Sequence, residues 1–182
     1  MELWTIGHST HGIAEFLALL KGVHIATLAD VRRFPGSRRH PHFNSEALAN
    51  HLGAAGIQYI HLPELGGRRP VMTNSPNTGW ENAGFRGYAD YMLFPEFGRG
   101  LARLIESANA SRTAIMCAES LWWQCHRGLI ADALKAAGHT VWHILPTGKV
   151  QEHPYTSPAR IVGGKLCYRA QEQELPFSLP DS

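Results

Sequence analysis

The sequence predicts an α/β domain: a mainly parallel sheet of about five strands with helices on both faces. Three observations predict it. Short apolar runs alternate with amphipathic stretches along the chain, the pattern of strand–helix crossovers. The short runs are almost continuously apolar, as strands are when both sheet faces are covered. The length of 182 residues and a hydrophobic fraction of 44% suit one core, and that apolar content argues against a disordered chain.

The elements follow in order. Residues 3–7 form a short apolar run, read as a first strand. In 12–23 the apolar residues Ile13, Phe16, Leu17 and Leu20 repeat at the helical period. Residues 25–31 read as a second strand. Residues 44–55 read as a helix, with Asn44 or Ser45 as N-cap and Gly56 as its stop. Residues 57–62 form a third strand ending at Pro63. The segment 64–87 is irregular and rich in Gly, Pro, Asn and Arg, a length that marks lids, binding loops or disorder. Helical pattern resumes near Tyr88, breaks at Pro95 and runs to Ser107. Residues 113–117 are a fourth strand, 122–137 a helix stopped by Gly138, and 140–145 a fifth strand. Residues 165–168 offer one more strand before a polar tail. The expected organisation is one three-layer, Rossmann-like domain over 1–170 and a C-terminal tail over 171–182.

Charge and cysteine content narrow the class. The net charge of +2 is too mild to name a partner. No apolar run approaches the roughly 20 residues of a membrane span, so no membrane partner is expected. The first residues lack the basic head and apolar stretch of a secretory leader. Three cysteines without a framework spacing fit a reducing, cytoplasmic setting.

In open α/β sheets ligands bind beyond the carboxyl ends of the strands, so the residues after each strand define where to look. These are Gly7-His8-Ser9-Thr10-His11; Asp30-Val31-Arg32-Arg33 through Arg38-Arg39-His40; His61-Leu62-Pro63 with Leu65-Gly66-Gly67-Arg68-Arg69; Cys117-Ala118-Glu119 leading to Cys125-His126-Arg127; and His143-Ile144 with Gly148 and His153. The pieces Thr5-Ile6-Gly7-His8-Ser9, Asp30-Val31-Arg32 with Pro35 and Ser37-Arg38, Leu65-Gly66-Gly67, Cys117-Ala118-Glu119, Cys125-His126-Arg127 and His143-Ile144 with Gly148 together resemble a family catalogued as a domain of unknown function, number 488. The resemblance covers about residues 3–170. It implies a compact α/β domain and leaves the activity to be argued from the site.

The sharpest charge feature is the run 30–39, with four arginines and one aspartate, a local balance of +3. Arginine's planar fork suits phosphate or carboxylate. Arg32 and Arg38 are therefore candidate anion ligands, against the alternative of a solvated loop. Asp30 and Arg32 lie two apart at a strand end and project on the same side. Asp30 is thus either an acid/base group or the partner of Arg32. Glu119 follows a strand and precedes a helix, where a carboxylate serves as general acid, base or glycosyl nucleophile; its alternative is a structural clamp on Arg127 or Arg32. Arg127 is read as a third anion ligand near a helix N-terminus, and Ser9 as an anion contact or a simple N-cap. His8 and His126 are candidates for proton transfer. Thiol catalysis by Cys125 is disfavoured: a phosphatase-like cradle wants an arginine about six residues after the cysteine, and Arg127 comes too soon. Trp80, Phe85, Trp122 and Trp123 are either aromatic faces for stacked bases or packing.

Gly66-Gly67 lacks the lysine–serine ending of a phosphate loop, and 7–12 does not match a dinucleotide fingerprint. No cofactor is expected. Nor does any short cysteine or histidine spacing mark a metal site. The expected function is hydrolytic or transfer chemistry on a nucleotide, nucleic acid or other phosphorylated nucleoside-like substrate. The alternatives are a non-catalytic nucleic-acid-binding or regulatory module, and a metal-dependent hydrolase.

Overall fold

A computed structural model describes residues 1–170; the expected tail, 171–182, lies outside the described residues. The parallel strands are β1 (Glu2–Gly7), β2 (Thr27–Asp30), β3 (Gln58–His61), β4 (Thr113–Cys117) and β5 (Thr140–Ile144). The helices are α1 (Ile13–Gly22), α2 (Ser45–Ala54), α3 (Ala83–Tyr91), α4 (Pro95–Ala110) and α5 (Arg127–Ala136). A sixth strand, β6 (Val150–Glu152), joins β5 antiparallel, and β7 (Arg160–Val162) and β8 (Lys165–Cys167) form a separate hairpin. The sheet order is β3-β2-β4-β1-β5-β6.

Period-two alternation along the strands divides the interior into two cores. Trp4, Ile6, Leu28, Ala114 and Met116 pack with Phe16 and Leu20 of α1 and Leu48 and Leu52 of α2. Leu3, Ala29, Ile115 and Cys117 pack on the opposite face with Tyr88, Phe97, Leu104, Leu129, Ile130 and Leu134 of α3, α4 and α5. The three-layer α/β expectation therefore holds.

The strand order also locates a reversal. From β1 the chain moves out to β2 and β3 through helices on one face. It then returns on the other face, inserts β4 between β2 and β1, and continues outward to β5. At such a switch the loops leave neighbouring strand ends in opposite directions and open a crevice between them. The ends of β1, β4 and β2 lie side by side there, with Gly7 in register with Cys117 and Asp30 with Met116.

Several local expectations need correction. The irregular segment is shorter than its composition suggests, because α3 begins at Ala83, capped by the Asn82 side chain accepting from Gly84 N and Phe85 N. The rest is tied to buried Asp90, which accepts from Met72 N, Ser75 Oγ and Asn77 Nδ2. The expected helix over 122–137 is divided: Trp122–Gln124 is one 3₁₀ turn, Cys125 is extended, and α5 starts at Arg127. Asn44 flanks α2, but its side chain does not cap that helix; its Oδ1 accepts from Ser37 N instead.

Behind β5, a buried chain of hydrogen bonds runs from Thr5 Oγ1 through His143 and His153 to Asp132 of α5. Asp132 also accepts from Thr156 N and Tyr168 Oη. This ties residues 153–168 onto the helix. Burial first, then the neighbouring His153 and Arg127, lowers the His143 pKa to about 2, so its ring is a neutral link in the chain.

Candidate functional site

A cavity of about 460 Å³ opens at the reversal. Its lining comes from four stretches of chain. Arg32, Arg33, Phe34 and Gly36 follow β2; Gly67, Arg68, Asn82, Gly84, Phe85 and Tyr88 come from the long connection and α3; Cys117, Ala118 and Glu119 end β4; Gln124, Cys125 and His126 lead into α5.

Two glycines let these stretches come so close. Gly7 lies under the turn after β4: a methyl group there would sit 1.8 Å from the Glu119 carbonyl oxygen. His8 N and Ser9 N continue the alignment by donating to the carbonyls of Cys117 and Ala118. Gly67 faces the His126 ring, which an added methyl would meet at 2.9 Å. The glycines of these motifs thus serve close packing around the cavity.

The Arg32 side chain is buried, and four of its five N–H groups are engaged, leaving one on Nη1. Nε donates to Asp30 Oδ1 at 2.9 Å, and Nη2 to Asp30 Oδ2 at 2.6 Å and the Phe43 carbonyl at 2.7 Å. Nη1 lies 3.3 Å from His8 Nε2. A guanidinium only donates, so Nε2 of His8 is the acceptor and Nδ1 carries the proton, donating to the Ser9 carbonyl at 3.0 Å. The His8 ring stacks on Phe43 with centroids 4.3 Å apart. Burial first and the Arg32 charge second lower the His8 pKa to about 4, so the ring is neutral near pH 7. Asp30 is fully buried and also accepts from Tyr59 Oη and Arg32 N.

His126 has a defined tautomer as well. Its Nε2 lies 3.2 Å from the Val31 carbonyl, which only accepts, so Nε2 bears the proton. Nδ1 is then a free acceptor 3.4 Å from Cys125 Sγ. Burial is the main cause lowering the His126 pKa.

The expected site residues fall into three groups. Arg32, Glu119 and His126 line the cavity, with Glu119 exposed at its edge. Asp30 and His8 lie behind Arg32 and fix its guanidinium. Arg127, Arg38 and Ser9 are not among the lining residues. Arg127 is buried, with Nη2 donating to the carbonyls of Glu119 and Ser120 at 2.9 Å each; it shapes the turn that carries Glu119. Arg38 is exposed on the loop after β2. Ser9 is no N-cap, because α1 starts after Gly12. Of the aromatics, Phe85 lines the cavity. Trp80 packs on Phe85 and Tyr168, and Trp122 stacks on His143. Among the described residues, no three His, Cys, Asp or Glu side chains gather as a metal site. No helix among them is long and apolar enough to cross a membrane.

The sequence places Arg68 and Phe34 just after strand ends without marking either as a ligand, and nothing in it singles out Gln124. Arg68 had a usable signal, lying directly after Gly66-Gly67 in a connection long enough to be a binding loop. Its backbone is left-handed, with φ of 60°, a conformation that non-glycine residues hold at a cost and that clusters at functional sites.

A family model described as Domain of unknown function DUF488 matches residues 12–134. That range includes the 30–39 run, Leu65-Gly66-Gly67, Glu119 and Cys125-His126-Arg127, while β1 with His8 precedes it. No curated protein and no solved structure matches the chain.

Proposed function

The chain belongs to the DUF488 family, and from that premise and the chemistry of its cavity we propose an enzyme that performs hydrolytic or transfer chemistry on a phosphorylated, nucleoside-like substrate. One observation carries the reading: three arginines, the aromatic rings of Phe34, Phe85 and Tyr88, and a carboxylate share one concave site. Arg32, Arg33 and Arg68 hold the phosphate. Phe34 and Phe85 flank the base. Glu119 acts at the bond that breaks, as acid, base or nucleophile. Asp30 and His8 are positioning residues that act through Arg32. A buried guanidinium held on three sides is already oriented before ligand arrives, which lowers the entropic cost of binding.

The test is incubation with a panel of nucleoside monophosphates and short oligonucleotides, read by chromatography for free base, free phosphate or cleaved chain. The reading expects turnover of one substrate class. It also expects Glu119→Gln to bind that substrate while turning it over at least about a hundredfold more slowly. Equal turnover by both proteins would remove Glu119 from the chemistry.

A second reading, nucleic-acid binding without catalysis, is favoured by the loop after β2. Phe34 is 66% exposed with the Arg33 guanidinium 5.4 Å from its ring centroid, and Arg38 and Arg39 follow, both exposed. Such a loop stacks on a base and tracks a backbone. This reading expects binding that weakens steeply with salt, a slope flattened by replacing Arg38 and Arg39 together, and no dependence on Glu119.

A further inference from the structure

Cys117 and Cys125 belong to different elements, one ending β4 and the other preceding α5. Both line the cavity and both are buried in the same core. Cys125 Sγ lies 3.4 Å from the unprotonated Nδ1 of His126, whose Nε2–H is held by the Val31 carbonyl. This is the arrangement of an activated nucleophile: thiol, base, and a third group that orients the base. Cys117 Sγ donates to the Glu119 carbonyl at 3.7 Å. The third cysteine, Cys167, lies in the β7–β8 hairpin and is not among the lining residues.

We propose that Cys125 and Cys117 form a redox-active thiol pair at the base of the cavity, with Cys125 the attacking sulfur, Cys117 the resolving one, and a small peroxide the oxidant. This inference goes beyond the carboxylate chemistry above and does not depend on it.

The titration of the pair agrees with the assignment. Burial pushes the Cys125 thiol up, but the neighbouring Cys117 side chain, the Arg127 guanidinium and the Arg127 backbone N–H outweigh it, and the net direction is down; Glu119 opposes them. Cys117 is driven the other way, chiefly by burial and then by Cys125. Cys117 and Glu119 from β4 and the turn after it, Tyr88 from α3, and His126 line the same cavity as Cys125, and Arg127 opens the helix that follows it. A low thiol beside a high one separates attacker from resolver.

The chemistry balances in two steps. The Cys125 thiolate attacks one peroxide oxygen; an S–O bond forms and the O–O bond breaks. The leaving hydroxide takes up the proton that Cys125 released. Cys125 is now a sulfenic acid. Cys117 then attacks the Cys125 sulfur; the S–S bond forms, the S–O bond breaks, and water leaves with the Cys117 proton. Two thiols are oxidised to one disulfide and one hydrogen peroxide is reduced to two waters.

The experiment treats the full-length folded protein with stoichiometric hydrogen peroxide, quenches with an alkylating agent, and maps the cysteines by mass spectrometry. The expected result is a Cys117–Cys125 disulfide with Cys167 still free. Cys125 should react at least about tenfold faster than Cys167, as a lowered thiol should. Cys117→Ser should stop at the sulfenic acid, trapped by dimedone on Cys125, and Cys125→Ser should form no disulfide within the cavity. The wild-type map needs neither variant to fold. A disulfide involving Cys167, or Cys125 no faster than Cys167, overturns the proposal. The readout contains no nucleotide, so its failure leaves the carboxylate reading standing, and failure of the nucleotide panel leaves this one standing.

Discussion

Arg32 and Asp30 meet through two parallel hydrogen bonds, Nε to Oδ1 at 2.9 Å and Nη2 to Oδ2 at 2.6 Å, with the carboxylate fully buried and the guanidinium nearly so. Geometry this complete makes the pair a fixed support for the cavity wall. Removing one partner strands the other charge in the interior, at a cost of about 3–5 kcal/mol. Asp30→Ala is therefore expected to lower the urea unfolding free energy by that amount and to weaken anion binding, although Asp30 is not among the lining residues. A stability loss below about 1 kcal/mol would mean that water reaches the pair and that Arg32 is not held in place.

Arg68 pairs a left-handed backbone with a place in the cavity wall. Glycine relieves that conformation. Arg68→Gly should leave stability unchanged or raise it by about 1 kcal/mol, while weakening binding of a nucleoside monophosphate by calorimetry. Loss of both stability and binding would assign Arg68 a structural role instead.

Gly7 gives a steric prediction. A methyl group 1.8 Å from the Glu119 carbonyl oxygen cannot be accommodated without moving the turn. Gly7→Ala should cost about 1–3 kcal/mol and displace Glu119, lowering turnover more than substrate affinity. Thermal unfolding and steady-state kinetics on the same preparation measure both.

His8 sets a pH dependence. Its pKa lies at about 4 in the fold, against an ordinary value of 6.5. Between those values the unfolded chain binds more protons than the folded one. This contribution to stability therefore rises with pH across the window and is lost as pH falls through it; above the window the ring is neutral in both states. His8→Gln should flatten the pH dependence of the unfolding free energy there, by at most about 3 kcal/mol. His143, lowered in the same direction, remains in both proteins, so their difference isolates His8. Parallel curves for the two proteins would show that His8 is solvated.

The parallel strands and the helices α1, α2 and α4 were legible because each carries a periodic apolar pattern. The strand-end rule was enough to name Arg32, Glu119 and His126. Three things were not legible. The division of 122–137 follows from tertiary packing of Trp122 on His143 rather than from helix propensity. The roles of Asp30, His8 and Arg127 depend on which partner each finds, and a residue's charge does not reveal whether it faces ligand or neighbour. Cys125 was discounted because it lacks a phosphatase-like spacing, yet its partners, His126 through the ring nitrogen and Cys117 from another strand, are set by topology. Spacing rules see only neighbours along the chain.

A crystal of the protein grown with a saturating nucleoside monophosphate would show whether the cavity is a nucleotide site. The phosphate is expected between Arg32, Arg33 and Arg68, the base against Phe34 or Phe85, and the Glu119 carboxylate facing the bond between base and sugar or sugar and phosphate. An empty cavity at saturating ligand, or a nucleotide seated elsewhere on the surface, would contradict that assignment.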